Sequence, residues 1–124
     1  IHPPKAVLPL FPAQVRPIKG RVILVEGIFD VLNLHDKGLP NAVCCFGTRN
    51  ISVEKLSLLK MTGVDGIDIL FDPDTAGQEA VEEVQNMCLA AELTYKNIKL
   101  PVALGDAGAL PLNQVIKLKE QLYG

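Results

Sequence analysis

The stretch Arg21-Val-Ile-Leu-Val-Glu26 is an unbroken apolar run of strand length that ends in a carboxylate. Such runs suit a strand covered on both faces, as in a parallel sheet. Ile67–Phe71, introduced by Gly66, reads as another strand and runs into Asp72. Two shorter runs, Ala42–Phe46 (followed by the turn residue Gly47) and Asn97–Val102, read as further strands. Helical patterns lie between them. Phe29, Leu32 and Leu34 sit in one that Gly38 closes at the C-cap position. Ser52 is a candidate N-cap for a second helix carrying Leu56, Leu59 and Lys60, with Glu54 in its first turn. Asp74–Glu92 is the longest, its Ala80, Val81, Val84, Met87, Cys88 and Ala91 spaced for a buried stripe. Leu112–Leu122 is a last, short helix. Strands alternating with helices predict βαβ units: an α/β fold with a mainly parallel sheet of about four strands flanked by helices.

The chain around these elements is that of one ordinary globular domain: 124 residues, 48% hydrophobic and 21% charged. Collagen-like, disordered and coiled-coil chains are excluded by composition. No apolar run approaches the roughly 18 residues of a membrane span. Residues 1–19 differ from the rest. Pro3, Pro4, Pro9, Pro12 and Pro17 remove donors and fix φ, so an extended lead-in or linker is expected there, docked through Val7, Leu8, Leu10 and Phe11. The folded domain is expected over 20–124. The chain opens on Ile1 with no signal-peptide pattern, which reads as a piece of a longer protein. Cys44, Cys45 and Cys88 have neither an even count nor C-x-x-C spacing, which points to buried thiols in a reducing compartment, the cytoplasm. Twelve basic against fourteen acidic residues leave a net charge of −2, so contact with nucleic acid would need a local patch or bound metal ions.

The acids fall in an informative place. Glu26 and Asp72 each follow an apolar strand, and ligands of open α/β sheets bind at the carboxyl ends of strands. Asp74 lies two residues beyond Asp72. Asp30 lies one helical turn beyond Glu26, so it can point back to the same edge. Asp106 follows the fourth strand candidate through a Gly-containing turn. Carboxylates crowded together raise one another's pKa or require a cation. Oxygen donors favour Mg²⁺ or Mn²⁺ over zinc, and Mg²⁺ keeps waters for a phosphate-bearing substrate. Phosphoryl or nucleotidyl transfer is the natural chemistry. Gly27, directly after Glu26, leaves the crevice open, and Gly77 stands near a helix N-terminus suited to phosphate; both also read as turn or packing glycines. His2 and His35 read as surface residues. No P-loop motif is present. Thr75 stands three residues after Asp72, whereas the haloacid-dehalogenase phosphatase motif wants threonine at four. A response-regulator arrangement is not evident either.

Val25-Glu-Gly-Ile-Phe-Asp30 and Phe71-Asp-Pro-Asp-Thr-Ala-Gly77, in this order and each after an apolar strand, resemble the two signatures of the Toprim domain. That Rossmann-like metal-binding fold is shared by bacterial-type primases, topoisomerases, small RNA-maturing nucleases and recombination-repair proteins. The resemblance covers about Lys19 to Asp106. Glu-Gly-x-x-Asp continuing as Asp30-Val-Leu, Phe46-Gly-Thr48, and Asp-x-Asp-x-Ala-Gly followed by Ala80 resemble the primase and phage primase-helicase branch. Type II topoisomerases usually follow Glu-Gly with Asp-Ser, which is absent. The small maturation nucleases, which also carry an Asp four positions after the Glu, are the closest rival. Gly105-Asp-Ala-Gly108 resembles the late acidic motif, but Gly108 stands where many primases carry a second acid, which leaves the number of bound metals open.

The resemblance implies a metal-dependent nucleotidyltransferase, a DNA primase making RNA primers on single-stranded DNA from nucleoside triphosphates. It implies Glu26, Asp72 and Asp74 as catalytic residues. Glu26, Asp30, Asp72, Asp74 and Asp106 would hold Mg²⁺ or Mn²⁺, and Gly27, Arg49 and Gly77 would contact phosphate or nucleic acid. Upstream zinc-binding and primase subdomains and a replicative helicase would be partners, with no membrane involved. A fragment of this kind is expected to fold, bind metal weakly and prime poorly alone. A Toprim nuclease acting on RNA or DNA, and a non-catalytic interaction module, are the alternatives.

Overall fold

A computed structural model of the chain describes residues 11–12, 14–44 and 51–124. Cys45, Phe46, Gly47, Thr48, Arg49 and the lead-in residues Pro3, Pro4, Val7, Leu8, Pro9 and Leu10 lie outside them. Four strands, β1 (Arg21–Leu24), β2 (Ala42–Val43), β3 (Gly66–Ile69) and β4 (Thr94–Asn97), form one parallel sheet in the order β2-β1-β3-β4. Among the described residues, around it lie α1 (Ile28–Asp36), α2 (Val53–Met61), α3 (Thr75–Ala90) and α4 (Leu112–Tyr123), with short 3₁₀ turns at Val102–Leu104 and Ala107–Ala109. The chain runs from β1 outward to β2, then back across β1 to β3. The β1/β3 junction is therefore the topological switch point, where an open α/β sheet leaves a crevice at the strand ends.

The two central strands are buried on both faces because helices cover both, and apart from Arg21, Gly66 and Asp68 their residues are apolar. Val22, Leu24, Ile67, Ile69 and Phe71 pack with Leu56, Leu59, Val81, Val84 and Cys88 of α2 and α3. Ile23, Val25 and Leu70 point the other way, onto Val31 and Leu34 of α1 and Val115 and Leu118 of α4. The α3 stripe is as expected, with Val81, Val84, Cys88 and Ala91 buried and Ala80 and Met87 packed beside them. On α1, Leu34 is buried with Val31, whereas Phe29 and Leu32 are exposed. Ser52 caps α2, its hydroxyl oxygen accepting from the Lys55 N–H at 3.2 Å. After α1 the Leu39 N–H donates back to the Leu34 carbonyl at 2.8 Å, and Gly38 turns with φ +107°.

Strand limits differ from the apolar runs. The runs Arg21–Glu26 and Ile67–Phe71 outlast their strands, which end at Leu24 and Ile69; Val25 and Leu70 still donate single bonds to Val43 and Leu24, both at 2.9 Å. Within Ala42–Phe46, Ala42 and Val43 form β2 and Cys44 exchanges two hydrogen bonds with Phe11, while Cys45 and Phe46 lie outside the described residues. The fourth strand is Thr94–Asn97 rather than Asn97–Val102. As an edge strand it leaves Thr94, Tyr95 and Lys96 exposed, so it carries no apolar run. Pro101 cannot donate within a strand, and Ile98 and Leu100 pack on the α1/α4 side after β4 has ended.

Away from the strand ends, one acid serves the fold. Asp68 of β3 is fully buried. Its Oδ1 accepts from Arg21 Nε and Nη2 at 3.0 and 2.9 Å, and its Oδ2 accepts from the Tyr123 hydroxyl at 2.7 Å. Asn41 Nδ2 donates to the same hydroxyl at 2.8 Å. Burial and the Asp68 carboxylate push the Tyr123 hydroxyl well above its usual pKa, so it stays a donor and ties α4 to the sheet. Cys44 and Cys88 are buried, and burial pushes the Cys88 thiol up to about 11.

Candidate metal and nucleotide site

The acids gather at the β1/β3 crevice. Glu26 comes two residues after β1, and its Oε1 accepts the Asp72 N–H at 2.6 Å, joining the two strand ends directly. Asp30 is in the first turn of α1, where its Oδ2 accepts the Gly27 N–H at 3.2 Å. Asp74 is the N-cap of α3, its Oδ1 accepting the Gly77 N–H at 2.7 Å. Asp106 occupies the N-cap position of the Ala107–Ala109 turn but makes no capping bond. Asp72, Pro73, Asp74 and Asp106 line one open cleft of about 420 Å³.

These carboxylates feel one another. Glu26 is pushed above its usual pKa, first by burial and then by the charges of Asp72, Asp74 and Asp30, against the stabilising Asp72 N–H. Asp30 is raised by burial and by Asp106 and Asp72, with the Gly27 and Gly108 N–H groups pulling the other way. Asp72 is raised by burial, Asp106 and Asp74. Acids from three chain segments, the β1–α1 junction, the β3–α3 loop and the turn at Asp106, thus raise one another's pKa, a repulsion that a cation relieves.

Among the described residues, no three His, Cys, Asp or Glu side chains close into a ready-made cage for one ion. The donor set still fits Mg²⁺ or Mn²⁺, which bind through one or two carboxylates and retain several waters for a phosphate. Asp72, Asp74 and Asp106, all on the cleft wall, could hold such an ion, and Glu26 and Asp30 feel their charges.

The two glycines separate. A Cβ at Gly77 would lie 2.3 Å from the Asp72 carbonyl oxygen, so the first turn of α3 can sit beneath Asp72 only because residue 77 lacks a side chain. Its N–H is already taken by Asp74. Gly27 has extended backbone (φ −137°), and its Cβ would meet nothing closer than Asp30 Oδ2 at 3.9 Å. Packing accounts for glycine at 77 and not at 27. Arg49 lies outside the described residues. Two residues not singled out in the sequence also shape the site. Gln78 Nε2 donates to the Asp72 carbonyl at 3.1 Å, and Asn33 of α1 holds the turn that follows Asp106. Only a helical count from the acidic motifs, four residues beyond Asp74 and three beyond Asp30, could have drawn attention to them.

Residues 23–109 match the family model described as Toprim-like. The chain belongs to the Toprim-like family. The DNA primase of Deinococcus radiodurans is 29% identical over 105 residues, a match covering 85% of this chain and 18% of that protein. The crystal structure of the Aquifex aeolicus primase, comprising zinc-binding and RNA polymerase domains, superposes with a TM-score of 0.66 at 30% identity, over 84% of this Toprim chain and 24% of that one. A small Toprim domain protein from Bacillus stearothermophilus superposes with a TM-score of 0.56 at 27% identity, over 84% of this chain and 90% of that one. The sheet and its flanking helices are thus the Toprim α/β fold. The chain spans 18% and 14% of the length of the first two primases it matches. Among the described residues no helix is long and apolar enough to cross a membrane.

Proposed function

We propose that this Toprim domain is the metal-dependent nucleotidyl-transfer part of a DNA primase or primase-helicase, which makes RNA primers on single-stranded DNA from nucleoside triphosphates. The observation that carries the reading is the convergence of Glu26, Asp72, Asp74 and Asp106 on the β1/β3 crevice, where they raise or share charge along one cleft. The similarity to primases over most of the chain supports the primase branch over the other Toprim activities.

Asp72, Asp74 and Asp106 hold Mg²⁺ or Mn²⁺ in this reading, with Asp30 acting directly or through water. The ion supplies neutralisation of the triphosphate and a more acidic primer 3′-hydroxyl. Glu26 is the proton-handling group. Its half-buried carboxyl has a raised pKa, which brings it toward the range useful for acid–base work near neutral pH. The Asp72 N–H on its Oε1 fixes its orientation and leaves Oε2 for the reacting group. Gly27 keeps the approach beside it open, and Gly77 and Arg49 contribute to phosphate binding, Gly77 by letting α3 seat below the cleft. Such a domain works in the cytoplasm. Upstream zinc-binding and template-gripping subdomains and a replicative helicase are its partners, because the primases it resembles are several times longer.

Primer synthesis by the intact protein, with Glu26→Gln and Asp72→Asn variants, tests the proposal. Loss of at least about 100-fold is expected in Glu26→Gln, the usual scale for a proton-transfer group, and a loss of similar order in Asp72→Asn, which removes a residue that holds the ion. A wild type that makes no primers but cleaves RNA or DNA in a Glu26-dependent way would replace primase by nuclease. Unchanged nucleic-acid chemistry in both variants would make the domain a non-catalytic module.

A further inference from the structure

Asp106 has little to hold it in place. It begins a 3₁₀ turn of only three residues, its own side chain makes no cap, and within the turn the Ala109 N–H donates back to the Asp106 carbonyl at 3.1 Å. A turn this short does not fix its own position. What anchors it lies on α1. Asn33, one helical turn beyond Asp30, donates from Nδ2 to the carbonyls of Ala107 at 2.9 Å and Leu110 at 3.1 Å, the first residue of the turn and the residue just after it. Its Oδ1 accepts from Lys37 Nζ, one further turn along the same helix. The amide is therefore used at both ends, and its flip state is set: only the nitrogen can face two carbonyls, and only the oxygen can face an ammonium. A carboxylate at 33 would repel both carbonyls, and an alkyl side chain would satisfy neither.

The result is a close approach between two acids. Gly108 lies between them, its backbone N–H lowering the pKa of the Asp30 carboxyl. A Cβ at residue 108 would stand 2.9 Å from Asp30 Oδ1 and 3.4 Å from Asp106 Oδ1, so the two carboxylates flank the bare α-carbon of Gly108. Ala107 and Leu110 are buried against the same side of the sheet as α1, but apolar packing is not directional, whereas the two amide bonds fix where along α1 the turn sits.

We propose that Asn33, oriented by Lys37, is a positioning residue that latches the Ala107–Ala109 turn onto α1 and thereby sets Asp106 beside Asp30 for cation binding. This rests on the metal reading given above. It adds a residue outside the acidic motifs and a physical reason for glycine at 108, where a side chain would push the two acids apart.

A double-mutant cycle on the 124-residue chain tests it, with Mn²⁺ affinity measured by electron paramagnetic resonance and amide hydrogen exchange followed in EDTA. Asn33→Ala is expected to weaken Mn²⁺ about tenfold, the scale found when a residue supporting a metal ligand is removed. It should also speed exchange at Ala109 while the core amides of β1 and β3 stay protected. In an Asp106→Asn background the same substitution should cost nothing further, because the latch acts through Asp106. Three results would each overturn the latch alone: unchanged Mn²⁺ affinity in Asn33→Ala, a full tenfold loss persisting without Asp106, or unchanged exchange at Ala109. A wild type that binds no Mn²⁺ at millimolar concentration would instead overturn the metal reading, and this proposal with it.

Discussion

Gly77→Ala probes the junction on which the site is built. The added Cβ would lie 2.3 Å from the Asp72 carbonyl oxygen, 3.1 Å from its carbon and 3.2 Å from its nitrogen. These are backbone atoms with no rotamer into which to retreat, so either α3 or residue 72 must move. Moving α3 gives up the Asp74 cap on the Gly77 N–H, a loss of about 1 kcal/mol. Moving residue 72 strains the 2.6 Å bond from the Asp72 N–H to Glu26, a charged acceptor worth about 1.5–3 kcal/mol. Overpacking itself adds about 1–3 kcal/mol, and the better helix propensity of alanine returns at most about 1 kcal/mol. The expected net loss is about 2–4 kcal/mol. For a domain of this size that lowers Tm by about 10 °C. Thermal unfolding followed by circular dichroism reads this directly, in EDTA so that no bound ion contributes. A Tm within about 2 °C of wild type would refute the packing argument and return Gly77 to the role of a ligand-approach glycine.

Other perturbations separate the remaining parts. Gly27→Ala should fold with wild-type Tm, since nothing lies within 3.9 Å of its Cβ, yet reduce primer synthesis by the intact protein; a comparable loss of stability would show that the glycine serves the fold. Tyr123→Phe removes the hydroxyl from the buried Asp68 carboxylate and should cost about 1–3 kcal/mol in urea unfolding, whereas an unchanged midpoint would mean that the network does not hold α4. Glu26, Asp30 and Asp72 all have raised pKa values, so without metal the folded chain binds more protons than the unfolded chain just above the ordinary carboxylate range. Their contribution to stability therefore falls as pH rises through that window. Asp72→Asn should match wild type in acid and exceed it in Tm at pH 7 in EDTA; a less stable variant at pH 7 would contradict the mutual repulsion.

Much of this architecture is written in local pattern. Arg21–Leu24 and Gly66–Ile69 are legible because a doubly covered strand is mostly apolar, with the buried Asp68 as the exception in the second, and the α3 stripe because only one face of that helix is buried. Ser52 announces its helix by a cap that few other residues supply. β4 is illegible for the complementary reason. An edge strand is held by backbone bonds to β3, which any sequence can make, and the apolar residues that follow it serve a different layer. The placement of Glu26 and Asp72 after strands locates the site, since parallel strands bring their carboxyl ends to one edge. The 2.6 Å bond between them and the structural duty of Asp68 are tertiary facts, to which the spacing of acids is blind. Asn33 is harder still, because an asparagine on a helix face is ordinary until the turn it holds is seen.

The central claim is that the crevice between β1 and β3 is a divalent-cation site. Calorimetric titration of Mn²⁺ and Mg²⁺ into the wild-type chain and into an Asp72→Asn/Asp74→Asn double variant tests it most directly. Asparagine at residue 74 can still cap α3, so the variant is expected to stay folded. The account predicts saturable binding to the wild type and its loss in a variant whose circular dichroism is unchanged. Equal binding by both proteins, or no binding by the wild type at millimolar metal, would contradict it.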